Sequence, residues 1–220
     1  MNIEPSLMQV ELLDHMGNDE TVASAARVSF DKRAETYPPD ANHGLIRYLA
    51  RNNHVIPFAH PHLTMRITAP IAVRAQAFKH KVGFVESEIS RRYVSEEPDW
   101  YLPVFRERAP NIKQGSGAAF AEPEQSAFQE DYEAAMDNCL DLYNRFIKAG
   151  VAPEQARFIL PQGVMTQWVW TGSLLAFSRF YNLRADSHAQ KEIQELARMA
   201  SEIIAPLYPV SWAALTGVQA

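Results

Sequence analysis

The stretch His62-Leu63-Thr64-Met65-Arg66-Ile67-Thr68-Ala69-Pro70-Ile71-Ala72-Val73-Arg74-Ala75-Gln76-Ala77-Phe78-Lys79-His80-Lys81-Val82-Gly83 changes period half-way, and that change decides the fold class. From His62 to Ala69 apolar and polar residues alternate, with Leu63, Met65, Ile67 and Ala69 on one face and Thr64, Arg66 and Thr68 on the other. This is the pattern of a half-buried strand. Pro70 then opens a helix, where its missing N–H costs nothing. Ile71, Ala75, Phe78 and Val82 recur at helical spacing and are expected to form its buried face. Gln76 and His80, four residues apart, are expected to share a second face, and Gly83 to end the helix.

Working outward, residues 6–13 read as a strand, and 20–30 and 41–53 as helices. Residues 89–94 read as extended. The stretch 106–126 holds Pro110, Gly115, Gly117 and Pro123 and reads as a loop insertion. A long helix follows over 124–149, with Phe128, Tyr132, Met136, Cys139, Tyr143 and Phe146 on one stripe and Gly150 as its stop. Pro153 starts a short helix through Leu160, 164–170 are strand-like, and 171–182 and 187–204 are helical. Mixed elements without internal repeats predict one α+β domain over residues 1–220.

The bulk properties narrow the function. The chain has 220 residues, 47% hydrophobic and 21% charged, an ordinary globular composition. One cysteine excludes an intrachain disulfide and suits a reducing compartment. The N-terminal stretch carries Glu4 and Glu11 and no cation, so it does not read as a signal peptide, and no apolar run approaches a membrane span. A cytoplasmic protein is expected. A pI of 5.8 argues against general nucleic-acid affinity. Yet residues 66–92 hold six Lys/Arg against two acids, inside a chain of net charge -5. Such local positive charge calls for an anionic partner, and phosphate is the usual one.

Three kinds of side chain bear on the chemistry. Cys139 has apolar neighbours at helical spacing and reads as inert core rather than a nucleophile. Ser90 has no nearby base to activate it and reads as a binding group. His54, His60 and His62 suggest zinc, but no second ligand cluster accompanies them, so no metal is expected.

Several blocks then match one signature. Lys79-His80-Lys81 stands where an Arg-His-Arg occurs, and Glu88-Ile89-Ser90-Arg91-Arg92-Tyr93 falls on Glu-x-Ser-x-Arg-Tyr. Ala156-Arg157-Phe158-Ile159-Leu160-Pro161 and Leu183-Arg184 through Ala189-Gln190-Lys191-Glu192-Ile193 follow two further blocks. Over roughly residues 20–205 the chain resembles the flavin-dependent thymidylate synthases (ThyX family). It departs from them at several points. Both arginines of the signature are lysines, eight residues rather than seven separate Lys81 from Ser90, Ile56 and Ala59 replace a Thr and a Glu, and Ser173 and Leu175 replace an Asn and an Arg.

The resemblance implies a central, mostly antiparallel sheet flanked by helices, in a homotetramer with shared active sites. It implies reductive methylation of dUMP to dTMP, with FAD as cofactor and methylenetetrahydrofolate and NADPH as co-substrates. It places Gln76, Lys79, Glu88, Ser90, Arg91, Arg92, Arg157 and Arg184 at dUMP, with Arg184 catalytic through its contact with the uracil ring. It places Ser29, His54, Ile56, Lys79, His80, Lys81, Glu88, Ser173, Arg179 and His188 at FAD. Two other readings of the same residues stand beside it: a non-catalytic nucleotide- or RNA-binding module using the basic segment, and a metal-dependent hydrolase using the three histidines.

Overall fold

The computed structural model describes residues 5–110 and 115–219. Its strands are β1 (Gln9–Met16), β2 (His62–Pro70), β3 (Phe84–Glu88) and β4 (Met165–Ser173). Its helices are α1 (Asp19–Arg27), α2 (Pro39–Arg51), α3 (Ile71–Ala77), α4 (Glu124–Lys148), α5 (Pro153–Ala156), α6 (Leu174–Arg184), α7 (Lys191–Leu207) and α8 (Pro209–Thr216). The strands form one antiparallel sheet in the order β1-β2-β4-β3. The α+β class with helices about a sheet is as the sequence implied.

Strand β2 follows its alternation closely. Leu63, Met65, Ile67 and Ala69 are fully buried, while Arg66 is exposed. Each large side chain buried there contributes about 1.5–3 kcal/mol.

Four expectations are corrected. Helix α3 ends at Ala77, two turns long, so its buried side chains are Val73 and Ala77. Ala75 is exposed and Val82 is 76% exposed. The reason is the turn that follows, where Gly83 takes the left-handed conformation at φ +81° and the apolar role passes to Phe84. Phe84 stacks on Trp170 with ring centroids 4.1 Å apart. Because the helix stops early, Gln76 and His80 do not share a helix face. The extended segment comes at β3, and residues 90–94 form a turn, with the N–H groups of Tyr93 and Val94 both donating to Ser90 O. Cys139 is only half-buried, since the buried stripe of α4 runs through Met136, Leu140 and Tyr143. Helix α8 has no counterpart in the sequence reading.

The chain divides into two compact units. The first comprises Met1–Gln9, Ile67–Lys79 and Ser87–Trp168. Its core is Trp100, Met136, Leu140 and Val164, with Ile71, Leu102, Tyr132 and Leu160 packed against them. The described parts of the 106–126 stretch fold back on themselves here. Arg106 and Ala119 form an antiparallel bridge, and the Phe105 N–H donates to Gln125 Oε1 at 3.1 Å. Residues 111–114 of that stretch lie outside the described residues.

The second unit comprises Val10–Arg66, His80–Glu86 and Val169–Ala220. Helices α1, α2, α6, α7 and α8 pack on one another within it. Helix α7 buries Ile193, Leu196, Ala197, Ala200 and Ile204, a stripe at three- and four-residue spacing. An aromatic group of Phe84, Trp170, Phe177 and Phe180 fills the space beside α6.

Candidate functional site

In the first unit, a cavity of about 280 Å³ opens beside the ends of β3 and β4. Its charged lining is Arg74, Arg91 and Arg157 against Glu88, with the Ser90 and Thr166 hydroxyls among the neutral groups. The elements account for this gathering. Arg74 stands on the second turn of α3, Glu88 ends β3, and the turn after β3 brings Ser90 and Arg91 to the cavity. Arg157 follows the short helix α5, its Nε donating to Glu154 O at 3.2 Å. Glu88 Oε1 accepts from Thr166 Oγ1 at 2.7 Å and lies 2.9 Å from Arg74 Nε. Arg91 Nη1 donates to Glu96 O at 2.6 Å, and the Arg92 N–H donates to Ser90 Oγ at 3.3 Å.

Chemically this is an anion site with one fixed carboxylate. Two permanent cations, Arg91 and Arg157, and the Ser90 hydroxyl can hold a phosphate, while Arg74 is engaged by Glu88. The carboxylate, tied down by Thr166 and Arg74, can accept from a sugar hydroxyl.

In the second unit, His80 and Arg184 form a pair. Arg184 Nε donates to His80 Nε2 at 2.8 Å, and the imidazole packs edge-on against Phe180 with centroids 5.1 Å apart. Burial first, and the neighbouring guanidinium second, lower the His80 pKa to about 4. The ring is therefore neutral at pH 7, with its proton on Nδ1. Lys81 pairs with Glu86. A second cavity of about 470 Å³ in this unit is lined by Arg27, Ser29, Tyr48, His54, Ile56 and mostly apolar neighbours such as Phe30 and Leu49. Arg27 is held there by Asn42 Oδ1 at 2.9 Å and by the Tyr37 ring, whose centroid is 3.5 Å away.

The sequence-derived set is thus sorted. Glu88, Ser90, Arg91 and Arg157 are brought together, whereas Gln76, Lys79 and Arg92 do not line the first cavity. Gln76 O accepts from the Lys79 N–H at 3.2 Å where α3 unwinds. Arg92 lies 3.6 Å from Glu154 and against the Tyr93 ring. Ser29, His54 and Ile56 share the second cavity. Ser173 is buried and caps α6 by accepting from the Ala176 N–H at 3.2 Å. Arg179 is exposed on α6. His188 pairs with Asp186 at 2.8 Å, and its backbone and ring bonds hold that carboxyl below its ordinary range. Among the described residues, no three His, Cys, Asp or Glu side chains gather as a metal ion would require. Arg74 and Thr166 are additions that the motifs do not contain. The charge count over 66–92 includes Arg74, but nothing in one sequence pairs it with Glu88.

The family described as thymidylate synthase complementing protein (Thy1) matches residues 11–210. The chain belongs to this family. Among Thy1 relatives, the flavin-dependent thymidylate synthase of Thermosipho africanus is 36% identical over 189 residues, covering 86% of this chain and 82% of that protein. An enzyme of the same name from Thermus thermophilus is 36% identical over 206 residues, covering 93% of this chain and 74% of that protein. A solved structure described as a UMP/dUMP methylase, PolB from Streptomyces cacaoi bound with 5-Br dUMP, superposes with a TM-score of 0.88 at 28% identity, covering 99% of this chain and 97% of that one. The same protein was solved with 5-Br UMP. No helix among the described residues of this Thy1 chain is long and apolar enough to cross a membrane.

Proposed function

We propose that this chain is a flavin-dependent thymidylate synthase that methylates the uracil ring of dUMP. Methylenetetrahydrofolate supplies the carbon, and NADPH supplies electrons through FAD. The observation that carries the reading is the cavity where Arg91, Arg157 and Ser90 meet beside the fixed Glu88 carboxylate. Its size and charge suit a phosphate monoester with its sugar. The cations bind the phosphate, whose charge does not change during reaction, so their contribution is to substrate binding.

The residues of the second cavity fit a flavin. Its walls are mostly apolar, suited to a planar ring, with Arg27, Ser29 and His54 as the few polar groups. Ser29, His54, Ile56, His80 and Lys81 would hold FAD, with Arg179, His188 and the neighbouring Lys79 as further contacts. FAD when bound supplies the electron transfer; the protein orients it and polarises the pyrimidine. His80, neutral and accepting from Arg184, fixes that guanidinium's direction. Arg184 directed at the uracil ring would stabilise negative charge growing in the pyrimidine. The working protein is a homotetramer in which several subunits complete each site, acting as one functional domain in the cytoplasm.

A second reading concerns the acceptor. The likeness to a UMP/dUMP methylase over nearly the whole chain supports UMP as an alternative substrate. The test is to purify the protein, record its absorbance for bound oxidised flavin, and follow methylation of dUMP and UMP with methylenetetrahydrofolate and NADPH. Flavin-dependent formation of dTMP is the expected result. Absence of both flavin binding and methylation would overturn the proposal, and methylation of UMP alone would replace the acceptor.

A further inference from the structure

Arg74 is the cation of the first cavity that no motif contains. Its Nε is 2.9 Å from Glu88 Oε1, and the two side chains are only 27% and 24% exposed. That Nε is buried yet aligned with no acceptor for a hydrogen bond, so charge rather than a directed bond holds the pair. The guanidinium also lies over the Phe78 ring, 5.2 Å from its centroid. Glu88 is meanwhile oriented by Thr166, which donates to the same oxygen. Orientation and neutralisation of the carboxylate thus come from two different residues.

A carboxylate in a phosphate cavity is a liability. The lining holds three arginines and one glutamate, a net charge that balances a phosphate monoester dianion. Without Arg74 the remaining two cations would face both the carboxylate and the phosphate in a half-buried space, where screening is weak. We infer that Arg74 is a positioning residue that neutralises Glu88, so that the cavity accepts a nucleoside monophosphate while keeping a carboxylate for the sugar. This rests on the nucleotide assignment proposed above. Arg74 need not touch the substrate; it acts through Glu88.

The test is a double-mutant cycle on the flavin-loaded full chain, titrating dUMP calorimetrically into wild type, Arg74→Met, Glu88→Gln and Arg74→Met/Glu88→Gln. Arg74→Met should weaken dUMP binding by about tenfold or more, the scale of stranding one partner of a desolvated pair. Adding Glu88→Gln should restore much of that loss, because no charge remains to neutralise. Arg74→Lys, which keeps the charge, should bind within about threefold of wild type. In steady state, Arg74→Met should raise KM with kcat little changed. Should Arg74→Met not fold, Arg74→Gln takes its place in the cycle. Unchanged dUMP binding in Arg74→Met, or a double variant no tighter than the single one, overturns the inference. Arg157→Ala tests the underlying assignment separately: if wild type binds no dUMP, or Arg157→Ala binds it as well as wild type, the nucleotide assignment falls and the Arg74 inference with it.

Discussion

His80 shows what one residue's surroundings do to its chemistry. Its unfolded pKa is the ordinary 6.5, and in the fold it drops to about 4. The unfolded chain therefore binds the extra proton in the window between those values. Stability contributed by the neutral ring is complete above about pH 6.5 and is lost as pH falls toward 4. Urea midpoints measured across this range should fall with pH for wild type and flatten for His80→Gln; parallel curves would show that His80 is not the titrating group. Arg184→Ala should lower kcat roughly a hundredfold, the scale of one lost electrostatic stabiliser. Arg157→Ala should instead raise the KM for dUMP, and steady-state kinetics with varied dUMP separate the two. At this scale the sequence made residue types legible but not partners. Glu88, Ser90 and Arg157 were recognisable from their motifs, whereas Arg91 stands at a variable position of its motif, next to the specified Arg92 that does not line the cavity, and Thr166, 78 positions from Glu88, is brought there only by strand pairing. The partnership of Arg184 with His80 spans 104 positions and was equally invisible.

At the scale of elements, β2 was legible because a two-residue period survives any tertiary context that buries one face. The end of α3 was not, because the apolar spacing that continues through Phe78 and Val82 is overruled by Phe84, which takes the place on Trp170. That stack explains why Gly172 is glycine. A Cβ there would come within 2.4 Å of the Phe84 ring and 3.2 Å of Gly83 O. Gly172→Ala should therefore destabilise the protein by about 1–3 kcal/mol, as overpacking of a rigid site does, read as a lowered urea midpoint with an unchanged slope. If Gly172→Ala is as stable as wild type, the aromatic stack does not constrain residue 172. Helix α8 is not legible in the sequence because Pro206 and Pro209 interrupt the pattern, although Pro209 in fact occupies the first helical turn, a position proline tolerates.

At the scale of the molecule, each compact unit is assembled from three separated stretches of chain. The second is joined by Asp19, whose two carboxylate oxygens accept from the N–H groups of Val210 and Ser211, both at 2.8 Å. Tyr208 adds a hydroxyl bond to Met16 O at 3.0 Å. Asp19→Ala strands two donors at the start of α8 and should cost about 1–2 kcal/mol, measurable by urea denaturation; a loss well below that would mean water replaces the carboxylate. The Asp19 bonds also order events in time. Val210 follows Asp19 by 191 positions, and a ribosome adds roughly 5–20 residues per second. A nascent chain therefore carries Asp19 for about 10–40 s before the α8 N–H groups that it binds exist, so this unit closes only once α8 has been made, and until then its apolar helix faces are open to chaperones.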